Sequence, residues 1–322
     1  MKRVAKFDGP CNVGVEEVEV PQISSTQVLI RAVVSLISRG SEIWRRYILP
    51  GPVDHAIMGY SLSGVVEAVG GQVTEFSPGD RVAALAPHAE FVAVEVVNSP
   101  HKPPVVRLPD AVSFEAGTFW PLATSSVLWV RETTVQKGDT MVILGQGLVG
   151  SGCLQVARAD GLARLIAVDA LPLRCDLARR LGADEVVDAL AEDPVAAVKR
   201  LTGGDGAEVV VEAVGGRAGA KAFAQAQDMV RRGGLLQVIG LYENEPLPLD
   251  SGKIQGRRLV GGYLRGDLRP QASDRALSLL AERKIHVEDM ITHRFPFDRA
   301  SEAFDLLYNR LGETMAVMLV WG

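Results

Sequence analysis

The apolar run Met141, Val142, Ile143 and Leu144 passes without a break into Gly145, Gly147 and Gly150, while Val149, Cys153 and Val156 recur at helical spacing. A strand that turns through G-x-G-x-x-G straight into a helix leaves few folds open, because each glycine answers a separate steric demand. Gly145 permits the tight turn, Gly147 lets backbone approach a ligand where a Cβ would intrude, and Gly150 allows helix and strand to pack closely. The amides exposed at the turn and the positive end of the helix dipole suit a pyrophosphate. A second strand, 165–169, ends on Asp169, 19 residues beyond Gly150, where a carboxylate accepts hydrogen bonds from ribose hydroxyls. A carboxylate there repels the additional phosphate of NADP, so NAD is the expected cofactor. Arg174, five residues on, has two readings: a contact for a 2′-phosphate, or part of a solvated helix face.

Around this turn strands and helices alternate from 139 to 266, a span with 20 of the 33 glycines, whereas residues 1–115 offer short β-rich runs punctuated by Pro, Gly and Asp. Alternation predicts a parallel sheet covered by helices, and the punctuated runs predict an antiparallel, barrel-like unit. Strands are expected at 141–144, 165–169, 185–188, 208–213, 235–240 and 258–263, enough for a doubly wound sheet of six. Pro172 and Gly182 bound one amphipathic helix, in which Leu173, Leu177 and Leu181 recur every fourth residue, and Asp193-Pro194 opens another. In the first part strands are expected at 15–20, 27–35, 62–69, 81–85 and 90–97. The tail from 267 is mixed, with helices at 273–282 and 299–309 and a closing strand at 314–320. Two domains follow, 1–120 with 267–322, and 121–266, as a chain of 322 residues allows.

Composition excludes several partners. A net charge of −5, from 34 basic and 39 acidic side chains, argues against a surface built for nucleic acid. No apolar run approaches the roughly 18 residues of a membrane span, and the first ten residues read as a strand rather than a secretory signal. Cys11, Cys153 and Cys175 are too few and too scattered for a disulfide framework, which fits a reducing, cytoplasmic setting.

The combination of Pro78-Gly79-Asp80-Arg81-Val82, His88-Ala89-Glu90-Phe91-Val92, Pro121-Leu122-Ala123-Thr124, the glycine turn, Ala213-Val214-Gly215-Gly216 and Ile291-Thr292-His293-Arg294-Phe295-Pro296 resembles the medium-chain dehydrogenases/reductases over essentially the whole chain. The resemblance implies an α/β architecture: a GroES-like β-barrel catalytic domain, closed by the returning C-terminal tail, and an inserted Rossmann domain. It also implies a homodimer formed through edge strands, with 258–263 supplying the edge. By the same resemblance Gly145, Gly147, Leu148 and Val149 lie at the pyrophosphate and Asp169 at the ribose. Ala213, Val214, Gly240 and Leu241 lie near the nicotinamide, and Thr124 or Ser125 touches the cofactor at the domain junction.

Zinc-holding branches of the family place a Cys in I-C-G-[ST]-D, a His in G-H-E and a Glu or Cys near the start of the nucleotide domain. The corresponding segments here are Ile37-Ser38-Arg39-Gly40-Ser41-Glu42, Gly59-Tyr60-Ser61 and Trp120-Pro121-Leu122, so Ser38 or Arg39 stands at the Cys position. Zinc needs thiolate, imidazole or carboxylate ligands. The five histidines, His55, His88, His101, His286 and His293, show no ligand spacing, and the cysteine-rich lobe of the structural zinc is missing, so no metal is expected. His88 and His293 match family motifs and read as structural.

Without a Lewis acid, the negative charge that builds on a carbonyl oxygen during hydride transfer must meet a positioned donor. Tyr60 is the first candidate, provided a cation lowers its pKa from about 10; the bland reading is a ring filling the vacated metal cavity. Arg39 is either that cation or a contact for the cofactor pyrophosphate. Ser41 matches the Ser/Thr that relays the alcohol proton, Glu42 matches a structural acidic residue, and Trp120 is expected to wall a pocket. The expected activity is a zinc-independent, NAD-dependent interconversion of a secondary alcohol and a ketone on a polyol, cyclitol or sugar-like small molecule. A quinone or enoyl reductase and a non-catalytic NAD(H)-binding protein remain the alternatives.

Overall fold

The computed structural model describes residues 1–100, 102–241, 246–262 and 266–322. His101, and Tyr263 at the end of the expected strand 258–263, lie outside the described residues. Two compact units form: Met1–Thr124 with Gly266–Arg283 and Val287–Gly322, and Ser125–Arg265 with Lys284–His286.

Gln27–Ile37 is the spine of the first unit. It alternates between buried and partly exposed positions in its first half and becomes wholly buried in its last four residues, as a strand with neighbours on both edges should. Leu62–Val69 and Phe91–Glu95 pair with it antiparallel, and so does Ala316–Val320 from the far end of the sequence. The sheet continues to Arg81–Ala84 and Val105–Arg107 on one side and to Ile291–Pro296 on the other. The tail is therefore hydrogen-bonded into the N-terminal barrel. Val28, Ile30, Leu62, Val82, Phe304 and Val317 meet in its core.

The second unit holds six parallel strands in the order Glu185–Asp188, Ala163–Asp169, Asp139–Leu144, Ala207–Glu212, Val230–Val238 and Arg258–Gly261. Numbered along the chain, that order is 3-2-1-4-5-6, the doubly wound arrangement in which ligands bind where strand order reverses. The central strands are buried almost continuously rather than alternately, because helices cover both faces. Helix boundaries follow local chemistry. Pro172 fits the first turn of Pro172–Arg180, with Gly182 at φ +97° just beyond it, and the Asp193 side chain accepts from the Ala196 amide at 2.8 Å to cap Pro194–Leu201. No described helix is long and apolar enough to cross a membrane.

Candidate active site

At the strand reversal of the second unit, the Ala213 amide donates to the Leu144 carbonyl, which sets the ends of strands one and four side by side. Gly145 turns there at φ +96°, and a Cβ on it would strike Ala213 and Val214. A Cβ at Gly150 would overlap the Gly145 carbonyl oxygen, so helix Leu148–Asp160 starts against the turn only because residue 150 is glycine. Gly147 is different. Its φ of −74° suits any residue, and a Cβ on it would meet only the Arg174 guanidinium, 3.8 Å away. The space above Gly147 is a cradle that a side chain would fill. Gly240 and Leu241 lie at the end of strand five, tied back by Gly240 N–H to the Glu212 carbonyl and Gly216 N–H to the Leu241 carbonyl.

Asp169 is buried and clamps this loop. One carboxylate oxygen accepts from the Gln146 amide at 2.6 Å, and the other accepts from the amides of Ala170 and Leu171. Three of its roughly four acceptor sites are thus engaged. Arg174 does not lie on a solvated face: its side chain is mostly covered beside the turn, 3.9 Å from Asp169, and its Nε is sealed from solvent with no hydrogen-bond partner. Burial pushes its pKa below the ordinary arginine value, with Asp169 opposing the shift. A buried, incompletely bonded cation above an open glycine suits an anionic ligand. The Thr124 hydroxyl is bonded to the Trp120 carbonyl, and Ser125 is buried.

In the first unit, Ser38 precedes a nine-residue π-helix, Arg39–Tyr47, whose wide winding takes up the extra residue of Ser38-Arg39-Gly40-Ser41-Glu42. Tyr60 Oη donates to Ser38 Oγ at 2.8 Å. This contact brings Ser38, rather than Arg39, to Tyr60. Ser41 also bears on the phenol by hydrogen bonding. Tyr60, Ser38 and Ser41 therefore come together.

Arg39 does not supply the expected cation. Its guanidinium lies over the Trp44 ring at 5.6 Å, and the arginine acting on the Tyr60 phenol is Arg46. Nor is the phenol made more acidic: burial raises its pKa most, Glu42 adds to the rise, and Arg46 only partly offsets them. Trp120 is a core residue rather than a pocket wall, fully buried with Nε1 donating to Ser273 Oγ at 2.8 Å. Ser61 donates to the Thr118 carbonyl.

Two parts of this site were not foreseen. Arg46 lies seven residues beyond Arg39, in a segment with no motif to single it out. Behind Ser38, Glu42 and His88 form a buried pair at 2.8 Å. The other Glu42 oxygen accepts from the Ser38 amide, and His88 Nδ1 meets Ser35 Oγ, which also accepts from Trp321 Nε1.

Residues 24–99 match the alcohol dehydrogenase GroES-like domain, and residues 149–282 match the family described as zinc-binding dehydrogenase. Both matches point to the medium-chain dehydrogenases/reductases, which this chain resembles along most of its length, and to an oxidoreductase acting on CH–OH groups. Sorbitol dehydrogenase of Homo sapiens is 29% identical over 338 residues, spanning 94% of this chain and 92% of that one. Among solved structures, alcohol dehydrogenase TADH from Thermus sp. ATN1 shares 26% identity at a TM-score of 0.82 over 99% of each chain. Galactitol-1-phosphate dehydrogenase from Escherichia coli, 22% identical, shares the fold at a TM-score of 0.85 over 99% of this chain and 100% of that one.

Proposed function

We propose that this protein interconverts a secondary alcohol and a ketone on a polyol, cyclitol or sugar-like molecule, with NAD as cofactor and without a catalytic zinc. The observation that carries this reading is the Tyr60 to Ser38 hydrogen bond at positions that hold zinc ligands in other branches. Two hydroxyls bonded to each other are a poor donor set for zinc, which prefers thiolate, imidazole or carboxylate. Among the described residues no group of three or more His, Cys, Asp or Glu is placed to hold a metal. The substrate class is supported by relatives named for sorbitol, threonine and D-arabitol phosphate.

A nicotinamide dinucleotide fits the second unit: Gly147 leaves room for the pyrophosphate, Arg174 offers a cation, and Asp169 can accept from a ribose hydroxyl. NAD is favoured over NADP because the Asp169 carboxylate stands where an added 2′-phosphate would meet it. When bound in its reduced form the cofactor supplies the hydride. The chain's own part is to hold the carbonyl oxygen. Tyr60, kept neutral by burial, donates its O–H to the developing oxyanion, and Ser38 and Ser41 orient the phenol. A homodimer through the edge strand Arg258–Gly261, where Leu259 is exposed, belongs to the same proposal.

Two measurements test it. Purified protein dialysed against a chelator is expected to retain its turnover of secondary alcohols, with no gain on adding zinc; stoichiometric zinc whose removal abolishes turnover overturns the zinc-free reading. In fluorescence titrations NADH should bind more tightly than NADPH. Gly147→Val should weaken both by at least about tenfold, roughly 1.4 kcal/mol, without lowering the melting temperature. Unaltered affinity in that variant would remove the dinucleotide from this turn.

A further inference from the structure

Arg46 is half-buried near the end of the π-helix, and its Nη1 is sealed from solvent with no hydrogen-bond partner. Among the described residues it forms no ion pair. The acid best placed along the helix, Glu42, has both oxygens engaged, by the Ser38 amide and by His88. The helix that carries Arg46 starts directly after Ser38, the residue that accepts the Tyr60 hydrogen bond, and the Arg46 charge acts on that phenol. A buried N–H donor on a cation is costly when unmet, and a guanidinium fork matches carboxylate and phosphate oxygens better than it matches a neutral hydroxyl.

We infer that the substrate is an anionic secondary alcohol, whose carboxylate or phosphate group is received by Arg46 while its reacting oxygen faces Tyr60. This rests on the zinc-free dehydrogenase reading for the reaction, but not for the binding. Arg46 thereby sets specificity: the anion fills the donor left unmet by the protein, and a neutral polyol of the same length leaves it unmet.

The test is thermal-shift and calorimetric titration of the full chain, saturated with NADH, using sorbitol, gluconate and sorbitol 6-phosphate as probes. At least one anionic probe should bind about ten- to a hundredfold more tightly than sorbitol; which one does so separates carboxylate from phosphate recognition. Arg46→Gln should collapse that ratio toward one, and Arg46→Lys should restore part of it. Both variants are first checked for a wild-type melting temperature and circular dichroism spectrum. Equal affinity for all three probes, no binding of either anion, or an unchanged ratio in a folded Arg46→Gln protein overturns the inference. It also fails if Arg46→Gln weakens NADH binding in the absence of any probe, since the cation then serves the cofactor. Because these are binding measurements, an anion bound through Arg46 without turnover leaves the inference standing and removes the dehydrogenase reading. Turnover of sorbitol with no preference for an anion does the reverse.

Discussion

Tyr60→Phe is expected to lower kcat for ketone reduction by about 100- to 1,000-fold, the loss typical when a donor aimed at a developing oxyanion is removed, while leaving NADH affinity and the melting temperature close to wild type. The substitution deletes one oxygen, and in the resting protein that oxygen donates only to Ser38 Oγ. The packing of the ring is kept. Since burial raises the phenol pKa, Tyr60 stays protonated across the neutral range and contributes no titration limb to the rate there. The pH profile of kcat in the wild type should therefore show no step assignable to Tyr60 between about pH 6 and 9. Ser38→Ala removes the partner but not the donor, so its effect on kcat should be smaller. Full turnover by Tyr60→Phe would reduce the side chain to a filler of the space left by the metal.

His88→Ala is expected to destabilise the first unit by about 3–5 kcal/mol, the usual consequence of leaving a buried carboxylate, here Glu42, without the donor that meets it. Both side chains of the Glu42–His88 pair are fully buried, so no water compensates for the loss. One arrangement of protons satisfies the whole group: Trp321 N–H to Ser35 Oγ, Ser35 O–H to His88 Nδ1, and His88 Nε2–H to Glu42, which also accepts from the Ser38 amide. Urea unfolding would read the loss as a fall in midpoint, and a drop below about 1 kcal/mol would show that the pair is dispensable. Activity should fall too, because Glu42 fixes the backbone of the residue that receives the Tyr60 hydrogen bond.

The nucleotide unit was legible because its signals are local. The run from Met141 into Gly145, Gly147 and Gly150, the Asp169 that closes strand two, and the Pro172 and Asp193 helix starts each reflect a constraint met within a few residues. Strand five was harder. It is expected at 235–240, yet Val230–Val238 is the strand, because Val230 pairs with Ala207 ahead of Arg231, Arg232, Gly233 and Gly234, which have no strand character of their own. The candidate site was only half legible. Departures from a zinc-ligand pattern pointed to Tyr60, Ser38 and Ser41. The choice of Arg46 over Arg39 depends on the π-winding of Arg39–Tyr47, which rotates side chains away from the positions of an ordinary helix. Glu42 and His88 lie 46 residues apart, and no periodicity connects them. Trp120 was misplaced for a similar reason: its partner, Ser273, is 153 residues away.

The strand Ala316–Val320 takes its place beside Gln27–Ile37 only after everything between them has been synthesised; Trp321 and Ser35, which bond across that junction, are 286 positions apart. The six-stranded sheet, by contrast, draws all its strands from one unbroken stretch and has them before Ala316–Val320 emerges. The order of maturation is thus written into the topology: the parallel sheet first, and the antiparallel unit last, its central strand waiting with an open edge. A tag or truncation at the C-terminus should for that reason harm solubility and catalysis well before it harms cofactor binding.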